Sequence, residues 1–308
     1  MKDFNNFLDE VVHGIKDRLG ERYKVRVERI LKNNSCAYQG ILISSPDDSI
    51  HDCEVSPAIH MDYWYDMYNN GMEIEEIMNE VIELYEVGKS EAKGVELLSD
   101  AKNNVASHIF FRIVNAAGNI ELLTSSPHVR IEDLAVTFHY MCSNDGAMLQ
   151  SFRITDKIAA DWELTRDELY DYAVKNTPVL FPEKFLSLKS ILLNLDKGST
   201  VFENEVASAA DEDIPMFVLT NETGFNGATV ILYSSYIKKL AQWYDCRLYI
   251  LPSSIHEVIL IPESCGVDSA QLKGLVEDVN RKHVDVAERL SDNIYVYSPE
   301  DDSIHLSE

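Results

Sequence analysis

Between Pro46 and Gly88 the chain has no lysine and no arginine. The same stretch carries Asp47, Asp48, Asp52, Glu54, Asp62, Asp66, Glu73, Glu75, Glu76, Glu80, Glu83 and Glu86. Cations are scarce overall, with 27 Lys and Arg against 52 Asp and Glu, a net charge of −25 over 308 residues. A nucleic-acid backbone and an anionic membrane both demand clustered cations, so neither is expected as a main partner. Cysteine is sparse and unpatterned. Cys36, Cys53, Cys142, Cys246 and Cys265 are odd in number and lack a C-x-x-C spacing, which argues against a disulfide framework or a cysteine zinc site. No apolar run approaches the roughly 18 residues of a spanning helix. The opening MKDFNNFLDEVVHGIKDRLG lacks the apolar centre of a secretory signal. Free thiols in a reducing cytoplasm are the expectation. Internal repeats and low-complexity tracts are also missing, which sets aside solenoids and arrays.

The hydrophobic fraction of 45% and charged fraction of 26% are those of an ordinary folded chain. Phe4, Phe7, Leu8, Val11, Val12 and Ile15 recur at three and four, which predicts a helix over 3–18 with Gly20 just beyond its end. Tyr23, Val25 and Val27 alternate with charged residues, a half-buried strand; 37–43 predicts a second, paired with it as a hairpin. Helices follow over 61–70 and 72–87, broken at Asn70-Gly71, with an apolar stripe of Ile74, Ile77, Met78, Val81, Leu84 and Tyr85. Further along, 107–114 and 131–142 read as strands. Asp145-Gly146 makes a turn that returns 147–154 as a hairpin arm. Thr165-Arg166-Asp167-Glu168 is a capping box opening a helix that Thr177-Pro178 should stop near 176. Residues 194–213, polar and rich in small side chains, predict a mobile loop. Strands follow at MFVLT, RLYILP, HEVILIP and YVY, with a helix ending near Tyr244 and another over 269–281 capped by Asp268. The last residues, SPEDDSIHLSE, read as a frayed tail. Hairpins outnumber crossover helices. The expected fold is therefore α+β, with antiparallel sheets flanked by helices. It divides into an N-terminal module over 1–95 and a larger antiparallel α+β region over 96–308.

Several phrases resemble an uncharacterised Firmicutes family, one of the domains of unknown function. They are GILISSPDDSIHDCEVSPAIHMDYWYDMYNNG, FRIVNAAGNIELLTSSPHVRIEDLAV, VLTNETGFNGATVILY and ILPSSIHEVILIPE, with EDVN and LSDNIYVY near the end. The resemblance spans almost the whole chain. It implies one shared architecture and cytoplasmic residence, and it carries no functional residue across.

Two constellations offer chemistry. Glu73, Glu76, Glu80 and Glu83 follow the i, i+3, i+7, i+10 pattern, so they form one stripe with a carboxylate at each turn of about 5 Å. Such a stripe suits a basic protein surface, with the neighbouring aromatics Trp64 and Tyr65 as contact anchors if they stay exposed. The plain alternative is a solvated helix face. The second constellation is Ser254, His256 and Glu257. Ser254 and His256 alternate along a strand and would share a face, as a nucleophile and its base must. A turn in which the serine caps free amides fits equally. No Gly-x-Ser-x-Gly elbow accompanies it, and Leu260 stands where a His-Glu-x-x-His motif needs its second histidine. His51, Asp52, Cys53, Glu54, His60 and Asp62 include metal-ligand types but at no metal spacing, so no metal and no cofactor is expected. The leading expectation is a non-enzymatic interaction or regulatory protein with an acidic face for a basic protein. A hydrolase centred on Ser254, His256 and Glu257 is the alternative. Nothing in the sequence fixes the oligomeric state.

Overall fold

The computed structural model describes residues 2–45, 49–50, 53–54, 58–92, 105–144, 149–194 and 201–307. The chain forms two compact units. Unit 1 comprises Met1–Lys32, Cys36–Val105 and Cys142–Gln150; unit 2 comprises Asn33–Ser35, Ala106–Met141 and Ser151–Glu308.

In unit 1, α1 (Phe4–Leu19) starts where the Asp3 carboxylate accepts from the Asn6 amide at 2.9 Å, and it ends at Gly20, whose φ of 85° few other residues adopt. Its buried face is Phe7, Leu8, Val11 and Ile15. Each of these large apolar side chains contributes about 1.5–3 kcal/mol on burial. β1 (Lys24–Leu31) and β2 (Ala37–Ser44) form the expected hairpin, with Val25 opposite Ile43 and Val27 opposite Ile41. A two-residue ladder, β3 (Ser49–Ile50) with β4 (Cys53–Glu54), precedes β5 (Ala58–His60), which pairs with β2. The sheet order is β1-β2-β5. α2 (Met61–Asn69) and α3 (Ile74–Ala92) complete one core with α1, in which Met61, Trp64, Ile77, Met78, Val81 and Tyr85 are buried. Leu84, read from the sequence as part of the buried stripe, is 46% exposed.

The remaining elements lie in unit 2, apart from 142–150, which belong to unit 1. β6 (Ile109–Asn115) is followed by a short α4 (Ile120–Thr124), β7 (His128–Ile131), the long β8 (Leu134–Asn144) and β9 (Leu149–Arg153). β6 and β7 flank β8, and β9 also pairs with β8. α5 (Asp156–Asp161) leads to α6 (Arg166–Leu180). The capping box forms as expected: the Thr165 hydroxyl accepts from the Glu168 amide at 3.3 Å, and Glu168 accepts from the Thr165 amide at 2.9 Å. The predicted stop at Pro178 does not occur; α6 continues through it to Leu180. A proline so near the end interrupts only one intrahelical bond. Thr177, just before it, is buried: its hydroxyl donates to the Ala173 carbonyl at 2.6 Å and accepts from the Phe111 amide at 3.1 Å, which fastens α6 to β6.

A six-stranded antiparallel sheet has the order β10-β11-β13-β12-β14-β15. Its strands are β10 (Glu183–Ser187), β11 (Phe217–Asn221), β12 (Leu248–Leu251), β13 (Val258–Pro262), β14 (Tyr295–Ser298) and β15 (Ser303–Leu306). Between β10 and β11 lie α7 (Leu188–Leu192) and α8 (Phe202–Ser208). Here the structure corrects the mobile loop expected over 194–213. Residues 202–208 are helical, Val206 is buried, and the Glu205 carboxylate accepts from the Ser187 amide at 2.7 Å. Residues 195–200 lie outside those described. The segment 227–232 is a 3-10 helix running towards α9 (Ser235–Tyr244). α10 (Ser269–His283) is capped by Asp268 as expected, and packs Leu272 and Val276 on Tyr249, Leu251, Ile261 and Ile294. The tail is not frayed: β15 pairs along β14, with Tyr297 opposite Ile304. The α+β class with antiparallel sheets is the fold observed.

Candidate functional site

The acidic stripe lies in unit 1, with Glu73 just before α3 and Glu76, Glu80 and Glu83 on it. Glu75 and Glu76 in its first turn complement the helix dipole, and Ile77, Met78, Val81 and Tyr85 turn inward, leaving Glu73, Glu76, Glu80 and Glu83 exposed. Among the described residues, none of these four carboxylates has a cationic partner, whereas Glu75, one position off the stripe, pairs with Arg18. The stripe does not end in charge. Leu84 and Val87, 46% and 45% exposed, continue it one turn on. The face is thus four carboxylates followed by an apolar patch.

The aromatic half of the expectation needs correction. Trp64 is buried in the core of unit 1. Tyr65 is half-buried against Phe4 and Phe7, at 5.0 and 5.3 Å between ring centroids, and its hydroxyl donates to the Lys2 carbonyl at 3.1 Å. Both pack because α2 turns them towards α1. Tyr63, on the opposite side of α2, is 58% exposed and stacks edge-on against Trp64. Of the mixed ligand cluster, His51 and Asp52 lie outside the described residues, as do the side chains of Cys53 and Glu54. His60 stacks on Tyr38; burial, with Lys32 nearby, lowers its pKa to about 4. Among the described residues no group of three His, Cys, Asp or Glu side chains could hold a metal ion.

In unit 2, Ser254 and His256 do meet, but through the backbone. The buried Ser254 hydroxyl accepts from the His256 amide at 3.0 Å, closing a tight turn. The imidazole is engaged elsewhere: Nδ1 accepts from the Asn226 amide at 3.3 Å, and Nε2 lies 3.6 Å from Glu288. The imidazole is thus oriented by Asn226 and Glu288. Glu257 is half-buried on the strand side of the same turn.

One family profile matches residues 4–299, nearly the whole chain. The chain belongs to DUF5688, a family of unknown function. No curated protein and no solved structure matches it. Membership in DUF5688 assigns no residue a role. Among the described residues of this DUF5688 chain, no helix is long and apolar enough to cross a membrane.

Sequence reasoning passed over a third group: Arg112, Arg153 and His139 of unit 2. The available signal was a charged or polar residue inside an apolar strand, as in IFFRIV and LAVTFHYM.

Proposed function

We propose that this chain is a non-enzymatic cytoplasmic interaction protein, and that the exposed face of α3 receives a basic, partly apolar protein surface. The observation that carries this reading is the continuity of the stripe: Glu73, Glu76, Glu80 and Glu83 stand free of cations among the described residues and lead directly to Leu84 and Val87. Charge on such a face speeds and orients encounter, while desolvating an apolar end supplies residence time. A face serving solubility alone gains nothing from two exposed aliphatic side chains in register with its acids.

The test is capture from host lysate at two salt concentrations, with mass-spectrometric identification and reconstitution of the purified partner. The parallel bait carries Glu73→Gln, Glu76→Gln, Glu80→Gln and Glu83→Gln. A basic protein held at low salt, released at high salt and lost on the neutralised bait supports the reading. Equal recovery on both baits, or no salt-sensitive partner, refutes it.

A further inference from the structure

Unit 2 leaves cations without acids in a chain where acids are in excess. In the antiparallel ladder Arg112 of β6 stands opposite Thr137 of β8, Phe110 opposite His139, and His128 of β7 opposite Thr137 from the other side. The Ile154 amide donates to the Phe138 carbonyl at 2.8 Å, which sets Arg153, the last residue of β9, beside His139. Residues directly opposite in a ladder point to the same face. Arg112, His128, Thr137, His139 and Arg153 therefore share one face of this sheet.

Among the described residues, each half-buried guanidinium there makes a single side-chain hydrogen bond. Arg112 donates to the Ser151 hydroxyl and Arg153 to the Ser126 hydroxyl, both at 3.0 Å. Among the described residues neither meets a carboxylate. Elsewhere the chain pairs its arginines readily: Arg18 with Glu75, Arg247 with Glu263, Arg281 with Asp278. Arg112 instead lies 5.2 Å from the ring centroids of both Phe110 and Phe225. Phe225 is 45% exposed, so this side of the face reaches solvent. His139 is buried between the two arginines. Its Nε2 lies 3.1 Å from the Thr137 hydroxyl, and its Nδ1 has no hydrogen-bond partner among the described residues. A guanidinium has five N–H donors, and leaving most of them unmatched away from water is costly unless an anion takes them.

We propose that this face is a binding site for a phosphate group, held by the guanidinium groups of Arg112 and Arg153 over His139. Two fixed positive charges match a dianion, and the planar forks suit phosphate oxygens better than ammonium groups would. The Thr137 hydroxyl faces both the Arg112 carbonyl at 3.4 Å and His139 Nε2 at 3.1 Å; in the tautomer where it donates to Nε2, His139 carries its proton on Nδ1 and adds a neutral donor. The site lies in unit 2 and is independent of the α3 reading.

Isothermal titration of the full-length protein at fixed ionic strength tests it, with inorganic phosphate, glycerol 3-phosphate and succinate as separate ligands. The expected result is one saturable site with Kd below about 1 mM for a phosphate ligand. Tighter binding of glycerol 3-phosphate identifies a phosphorylated small molecule; tighter binding of inorganic phosphate identifies the free ion. Arg153→Gln should weaken binding at least about tenfold, and Arg153→Lys, which keeps the charge and loses the fork, about threefold. Arg281→Gln removes one charge at a distant paired arginine and should leave Kd unchanged. Circular dichroism establishes that each variant is folded. No saturable binding of either phosphate ligand by the unmodified protein overturns the proposal, as does preference for succinate or an equal loss in the Arg281→Gln variant.

Discussion

The same substitution at two glycines of unit 2 should have opposite signs. Gly227 opens the 3-10 helix over 227–232, beside β11 and the turn at His256. A Cβ placed there would overlap the His256 carbonyl oxygen and the Thr220 hydroxyl, and would stand 2.9 Å from the Asn221 amide nitrogen. Two of these are backbone atoms and cannot rotate away. The Thr220 hydroxyl is itself committed, donating to the His256 carbonyl at 2.7 Å. Gly227→Ala must therefore push the 3-10 helix off the strand and break that hydrogen bond. Overpacking costs about 1–3 kcal/mol and the hydrogen bond about 1, so the expected loss is about 2–4 kcal/mol. Gly274, on the exposed side of α10, has nothing within 4 Å of the added Cβ. There alanine only removes the entropic penalty of glycine in a helix, a gain of about 0.5–1 kcal/mol. Urea unfolding followed by far-ultraviolet circular dichroism and tryptophan fluorescence measures both. Because both residues belong to unit 2, they report on the same transition. Adding Thr220→Ala to Gly227→Ala should restore only part of the loss, since the His256 carbonyl remains in the way. A neutral or stabilising Gly227→Ala, or a destabilising Gly274→Ala, would refute the steric reasoning.

Three further outcomes follow from particular contacts. The Asp133 carboxylate accepts from the Ser291 hydroxyl at 2.6 Å, the Asn293 amide at 3.0 Å and the Tyr295 hydroxyl; Asp133→Ala leaves buried donors unmatched and should cost about 2–4 kcal/mol in urea, with Asp133→Asn losing less. His139 has its pKa lowered well below 6.5 by burial and by Arg112 and Arg153. The unfolded chain then binds the extra proton first, so stability should fall as pH drops from 7.5 to 5.5, and His139→Gln should show a shallower fall; an identical slope in both proteins would remove His139 from the account. Thr165→Ala removes the capping hydroxyl of α6 and should cost about 1 kcal/mol, read as a lower urea midpoint.

Much of the fold was legible because its signals are local. Val25 and Val27 alternate with charged residues, Thr165 and Glu168 stand at the spacing of a capping box, and Asp268 precedes the helix it caps. Departures arose where tertiary contacts outweighed local preference. Residues 202–208 look like linker by composition, yet Glu205 finds the Ser187 amide and Val206 a core to enter. SIHL is too short and polar to announce a strand, but β14 offers it a ladder. The carboxylates of α3 were readable because helical spacing fixes their alignment within a dozen residues. Trp64 was not, because whether an aromatic faces α1 or solvent depends on how α2 is seated. Arg112 and Arg153 are 41 positions apart, and only β8 running between their strands brings them together.

The closing strand has a consequence for self-association. β15 lies at the outer end of the six-stranded sheet, with Tyr295 and Tyr297 of β14 beneath it, buried. Its approach turn carries Glu300, Asp301 and Asp302; Asp302 accepts from the Tyr297 hydroxyl at 2.5 Å and pairs with Lys238 at 2.7 Å. Trimming β15 would do more than shorten the chain. It would uncover a row of unpaired amides and carbonyls along an aromatic strand. A few polar residues that look dispensable thus act as a stopper, keeping the sheet from recruiting another strand to its open side.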